Sequence, residues 1–203
     1  MYLLHSIMVK GHNTKTKILK FLLSNKTKEF TIRAISKNIL KDYKVVYLAV
    51  NELIKDNIIL AKKIGQTIAC SINPKSFNAE IFKAELIKQE ELMRNKDFYS
   101  LQSYFNDIKE PFFILLLFGS YASRKHNKKS DIDLMLISDN EKIEKQVKNK
   151  LSLVPLDTDL TNFTTKEFLS MLKTTEFNVG KEAFNNNIIL FGIEDYYRLI
   201  KNA

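Results

Sequence analysis

Residues 118–137 read FGSYASRKHNKKSDIDLMLI. An apolar run, Phe112–Phe118, ends in Gly119-Ser120. Ten residues follow, and then Asp131 and Asp133 stand two apart at the start of a second apolar run, Ile132–Ser138. Residues two apart in a strand share a face, so the spacing brings both carboxylates toward one point. Two acids that close repel each other unless a cation neutralises them. Oxygen-only ligation suits Mg²⁺, or Mn²⁺ in its place, completed by water and phosphate oxygens. A glycine at a strand end allows close backbone approach, and a following helix start offers unpaired N–H groups to phosphate. Gly119 and Ser120 are therefore expected to bind nucleotide phosphates, the Ser120 hydroxyl adding a hydrogen bond. Lys128 and Lys129 precede the acids and can meet triphosphate charge, Lys129 being preferred by its position.

Downstream, 139–151 reads as an amphipathic helix and Leu156–Phe163 as a third strand. Thr164–Leu172 reads as a helix opened by a capping box of Thr164 and Glu167. The third strand offers Asp157 and Asp159, again on one face. Two-metal phosphoryl chemistry calls for a third carboxylate. Asp159, five residues before the helix, is the preferred one, to ligate the catalytic metal and help deprotonate the attacking hydroxyl. Val179–Leu190 and Ile193–Ile200 are expected as two closing helices. Strands alternating with helices indicate an α/β or α+β domain.

A Gly-Ser, a spacer and an Asp-x-Asp resemble the polymerase-beta nucleotidyltransferase superfamily, and the ten-residue spacer resembles its minimal prokaryotic members. The resemblance covers about residues 110–175. The tail VGKEAFNNNIILFGIEDYY also resembles the C-terminal helices of archaeal members. The resemblance implies transfer of a nucleoside monophosphate from ATP or another NTP to a hydroxyl, with release of pyrophosphate. Minimal members often act as antitoxins that transfer AMP to a tyrosine of a HEPN-type toxin. Many of them carry a glycine four or five residues after the serine, in the segment matching Ser123-Arg124-Lys125. This chain has none there, so if that glycine takes positive φ the loop must bend differently. Tyr196 and Tyr197 are read as packing residues and not as nucleotide acceptors.

The first part of the chain has another character. Residues 1–80 hold 14 Lys+Arg against 5 Asp+Glu, while residues 81–203 hold 18 of each. The basic excess therefore belongs to the N-terminal part and points to a polyanion-binding module. Thr14–Ser24 reads as a helix, Thr31 caps a second that runs to Ile39, and Asp42 caps a third with Val46, Val50 and Leu53 on one face. Asn57 is placed to close it in the left-handed conformation. Ile58–Lys63 and Thr67–Ile72 then form a hairpin around Gly65. This order, with the pattern V-Y-x-x-V-x-x-L-x-x-D-N-I-I, resembles a winged helix-turn-helix. The resemblance implies DNA contacts from Lys44, Tyr47 and Asn51 on the third helix and from Lys62 and Lys63 on the wing. Protein contact or dimerisation is the alternative use of such a module.

Phe77–Gln102 reads as one long charged helix with a solvated face, a link between the modules that can support a homodimer. The expected architecture is thus α+β. A winged helix-turn-helix over 1–76 is joined through 77–108 to a nucleotidyltransferase domain over 109–203, with a mixed sheet flanked by helices. No apolar run approaches the ~20 residues of a membrane span, and no signal peptide is read at the N-terminus. The single cysteine, Cys70, has no intramolecular disulfide partner, which points to a cytoplasmic protein and to a small core residue. His5, His12 and His126 lack zinc-ligand spacing. Two functions fit: a Mg²⁺-dependent nucleotidyltransferase acting on a protein or small molecule, or a DNA-binding regulator whose second domain senses nucleotide or binds a partner protein. Intact Asp131, Asp133 and Asp159 argue against an inactive fold.

Overall fold

The structure, a computed structural model, describes residues 13–105, 107–108, 112–127 and 130–201. Helix α1 (Thr14–Leu23) is capped by the Asn13 side chain, which accepts the Thr16 N–H. Strand β1 (Phe30–Thr31) leads into α2 (Ile32–Ile39), capped by Thr31 as its position predicts. Asp42 caps α3 (Tyr43–Lys55), accepting the N–H groups of Lys44 and Val45. Val46, Val50 and Leu53 form the buried face of α3, and Asn57 closes its end at φ 55°. Strands β2 (Ile59–Ile64) and β3 (Thr67–Ile72) form the hairpin, with Gly65 at φ 59° in its turn. A left-handed turn of that kind suits glycine. Strand β1 adds to β3, a pairing not foreseen from the sequence, to give a sheet of order β1-β3-β2.

The expected long helix is two helices. α4 (Ala79–Met93) stops, and α5 (Lys96–Phe105) restarts after Asn95, whose side chain accepts the Asp97 N–H. That side chain offers the backbone a fresh helix start, which competes with continuation. α4 keeps the expected solvated face at Lys83 and Glu90, but its other side is packed. Ile81, Ala84 and Ile87 are buried, and so are Glu85 and Lys88, while Leu86 is half-exposed.

The remaining elements are β4 (Ile114–Leu117), a one-turn helix α6 (Gly119–Ala122), β5 (Ile132–Ile137), α7 (Glu141–Leu151), β6 (Thr158–Phe163) and α8 (Thr165–Lys173). The capping box of Thr164 and Glu167 opens α8 as expected. The closing helix expected over Val179–Leu190 is instead α9 (Val179–Asn185) followed by strand β7 (Ile188–Phe191), and α10 (Ile193–Lys201) ends the fold. The Asn187 side chain donates to the Ala183 carbonyl and ends α9, and β7 is then drawn onto β4. The sheet has the order β6-β5-β4-β7, with β5 and β6 parallel and the other pairs antiparallel.

Alternation along β4 and β5 sorts the sheet into two faces. Leu115, Leu117, Leu134 and Leu136 join α5 and α7 in one core. Ile114, Leu116, Met135 and Ile137 join Phe168, Tyr196 and Ile200 in the other. The second core continues without a break into Ile18, Leu22, Val50 and Leu53 of the N-terminal helices. The basic N-terminal part is therefore joined, through α4, to the core on the face of the sheet that carries the odd-numbered residues of β5. Among the described residues, no helix is long and apolar enough to cross a membrane.

A buried ionic knot ties this junction. Lys88 Nζ lies 2.7 Å from Glu85, Lys26 Nζ lies 4.0 Å from it, and the Tyr197 hydroxyl donates to it at 2.6 Å. Lys26 also donates to Asn187 Oδ1 at 3.0 Å. Burial pushes the Glu85 carboxyl up, but Lys88 and Lys26 outweigh it and hold the group below the ordinary carboxylate range. Burial brings Lys26 down to about 7, against the opposing pull of Glu85. Tyr196 and Tyr197 are packing residues, as expected, and burial raises both phenols. Cys70 is a core residue too, and burial pushes its thiol up to about 11.

Candidate active site

The acids lie where alternation puts them. Asp133 shares the odd-numbered face of β5 with Met135 and Ile137, at the end where β4 runs out into Gly119. In the parallel pair, Asp133 stands in register with Asp159 of β6, so the two side chains are neighbours on one face. Asp131 lies just before β5 and is exposed, as is Asp159, whereas Asp133 is half-buried. Asp157 precedes β6 and spends its carbonyl on the Ile132 N–H at 2.9 Å.

Gly119 is dictated twice over. Its φ is 64°, a region that side chains other than glycine rarely adopt. A Cβ built there would also fall 2.0 Å from Asp133 Oδ2, inside the carboxylate. The Asp133 carboxylate thus lies against bare backbone and accepts the Ser120 N–H. Its acid group is raised, first by burial, with Asp159 and Asp131 adding to the effect, while the Ser120 N–H pulls the other way. Asp131 and Asp159 are therefore both near enough to repel it.

The chemistry of this donor set fits a hard divalent cation. It is oxygen-only, anionic and open on one side, and Mg²⁺ is commonly held by one or two carboxylates with waters and phosphates supplying the rest. Among the described residues, no three His, Cys, Asp or Glu side chains already enclose a common metal position. Lys129 lies outside the described residues, as do Lys128, His5 and His12.

The spacer loop holds features with no signal in the sequence. Tyr121 stacks on His126, ring centroids 4.2 Å apart, and meets Phe98 of α5 edge-on. Arg124 takes φ 57° within the segment where many minimal members have glycine. The left-handed bend is therefore present, adopted by an arginine. Such a residue is strained by about 1–2 kcal/mol relative to glycine. Arg124 is also anchored to Glu91 of α4 at 3.2 Å.

The residues expected to contact DNA are partly gathered. Lys44 and Tyr47 are exposed on α3, while Asn51 is half-buried. Lys62 and Lys63 are both exposed, but adjacent strand residues point to opposite faces, so they do not form one wing surface. Tyr43 and Tyr47 stack on each other at 6.1 Å, and Leu40 and Leu48 beside them are 87% and 56% exposed. This surface is more apolar than the sequence pattern implied.

The mixed sheet thus ends one strand in a Gly-Ser turn and carries a pair of neighbouring carboxylates on the next two. Residues 99–195 match the family described as Polymerase beta, Nucleotidyltransferase, and the match supports that superfamily for this part of the chain. No curated protein and no solved structure matches the chain.

Proposed function

We propose that the C-terminal part transfers a nucleoside monophosphate, AMP from ATP, to a hydroxyl of a protein or small-molecule acceptor. The observation that carries this reading is the register of Asp133 against Asp159, with Asp131 two residues away, over the bare backbone of Gly119-Ser120. Asp131, Asp133 and Asp159 would hold Mg²⁺ or Mn²⁺, which neutralises triphosphate charge and activates the acceptor. Gly119 lets the Asp133 carboxylate lie against the turn, and Ser120 fixes its direction. Asp159, exposed at the edge of the group, is the carboxylate placed to take the proton of an attacking hydroxyl. Lys129 is proposed to meet the triphosphate.

An antitoxin-like role, with a HEPN-type toxin as protein acceptor, is the biological setting we favour. The N-terminal part is read as a winged helix-turn-helix, and its order of three helices and a hairpin supports that reading. The second function, a DNA-binding regulator, draws on the basic excess of residues 1–80. The exposed apolar residues of α3 speak instead for protein contact by that surface.

Labelled ATP with Mg²⁺ and a cell extract tests the enzyme. Transfer of label by the wild type, lost in the Asp131→Ala, Asp133→Ala variant, supports it. No transfer to any component, together with tight salt-dependent binding of duplex DNA, would overturn it in favour of the regulator.

A further inference from the structure

A cleft of about 990 Å³ separates α1 and α2 from the loop that follows Gly119-Ser120. Its cations come from four stretches of chain: Lys17 and Lys20 on α1, Lys28 after it, Arg94 at the end of α4, and Arg124 and Lys125 on the loop. Glu91 is the acid in this wall and bonds both Lys20 and Arg124. Lys17, Lys28, Arg94 and Lys125 have no ion-pair partner among the described residues. Like charges that share one concavity repel one another, and among the described residues Glu91 is the lining acid that offsets them. The cleft wall is tied to the acidic site, because the Lys125 N–H donates to the Ser120 carbonyl at 2.9 Å.

We propose that this cleft binds single-stranded nucleic acid, holding its phosphates beside the acidic site. A duplex reader needs a protruding element that enters a groove, whereas a concavity lined by cations tracks a single backbone. Among the described residues the one aromatic lining it is Phe21, which meets Phe30 edge-on at 4.6 Å. Recognition is therefore by phosphates and tolerant of sequence. This locates the polyanion function of the basic N-terminal part on its inner side, away from Lys44, Lys62 and Lys63.

Fluorescence anisotropy of the full chain with a short labelled single-stranded oligonucleotide tests this. Four cation contacts predict a slope of log affinity on log salt of about −3, at roughly −0.7 per phosphate. Lys17→Glu with Lys28→Glu is expected to weaken binding at least about tenfold, and Arg94→Ala with Lys125→Ala to weaken it in the same direction. A Lys44→Glu, Lys62→Glu, Lys63→Glu variant is expected to bind as the wild type does, and the Asp131→Ala, Asp133→Ala variant at least as tightly, since it removes negative charge beside the strand. Binding is therefore read independently of any nucleotidyl transfer. Four results overturn the proposal: cleft variants that bind normally, loss of binding in the hairpin variant, preference for duplex over single strand, or displacement of the strand by polyglutamate at equal charge. Saturable binding of ATP or inorganic triphosphate that needs the cleft cations, without oligonucleotide binding, would assign the cleft to the free nucleotide instead.

Discussion

Two acidic clusters in this molecule meet opposite fates. Glu85 is wholly buried and is answered on every side by Lys88, Lys26 and the Tyr197 hydroxyl. Asp133 is half-buried and faces two further carboxylates, with backbone N–H groups as its named donors. The carboxyl of the first is held low and that of the second is raised. A buried charge that the fold answers itself is structural. Like charges gathered at an open strand end raise the acid group of Asp133, and a bound cation would relieve their repulsion. The sequence reading singled out the second cluster and not the first. Their partners distinguish them.

The sharpest break of this contrast is kinetic. Asp133→Asn is expected to lower label transfer by roughly 10³-fold, while its thermal midpoint stays level or rises, since a repulsion is removed. A fall in stability comparable to the fall in activity would refute the distinction. Gly119→Ala should behave like a site variant, because its Cβ takes the space of the Asp133 carboxylate.

Glu85→Ala should do the reverse. It leaves two buried ammonium groups without their carboxylate and is expected to cost about 3–5 kcal/mol, read as a midpoint lower by about 10 °C. An unchanged urea midpoint would show that the knot is not structural.

The same knot gives a pH test. Lys26 titrates near 7 in the folded protein and at about 10.5 when unfolded. Between those values the unfolded chain binds more protons, so this group's contribution to stability rises with pH. The gain in stability of Lys26→Met over the wild type is therefore largest below pH 7. It shrinks by about 1.4 kcal/mol per pH unit up to the unfolded value. Urea unfolding of both proteins across this range measures it, and a constant difference would mean that Lys26 keeps its proton throughout.

The smallest effect concerns the loop. Arg124→Gly relieves the left-handed strain, worth about 1 kcal/mol, and loses an exposed ion pair worth a few tenths. A midpoint higher by about 2 °C is expected. A lower one would show that the bond to Glu91 outweighs the backbone.

Local signals carried most of the fold. Caps at Thr31, Asp42 and Thr164, the Gly65 turn and the two apolar runs around Gly119 fell where polar and apolar patterning put them. The nearness of Asp131 and Asp133 was legible from their spacing of two, although Asp131 lies just before β5. Strand β7 was missed because the run Ile188–Phe191 suits either a helix or a strand, and its pairing with β4 decides between them. Gly192, at φ 77° with no room for a Cβ beside the Phe113 carbonyl, was the clue to that close approach. The break at Asn95 had its signal in the asparagine itself. The stack of Tyr121 on His126, the bond of Arg124 to Glu91 and the knot around Glu85 join residues far apart along the chain or in one folded loop, and no periodicity announces them.

The core that runs from Ile18 to Ile200 has a consequence for how such a chain can be built and altered. A module that ends in its own surface can be exchanged, like a cassette, for another of its kind. Here a cut after residue 76 would strip apolar cover from both halves, since Ile81 and Ala84 of α4 share one core with Val50 on one side and Ile114 on the other. The two parts are therefore best engineered as a single piece.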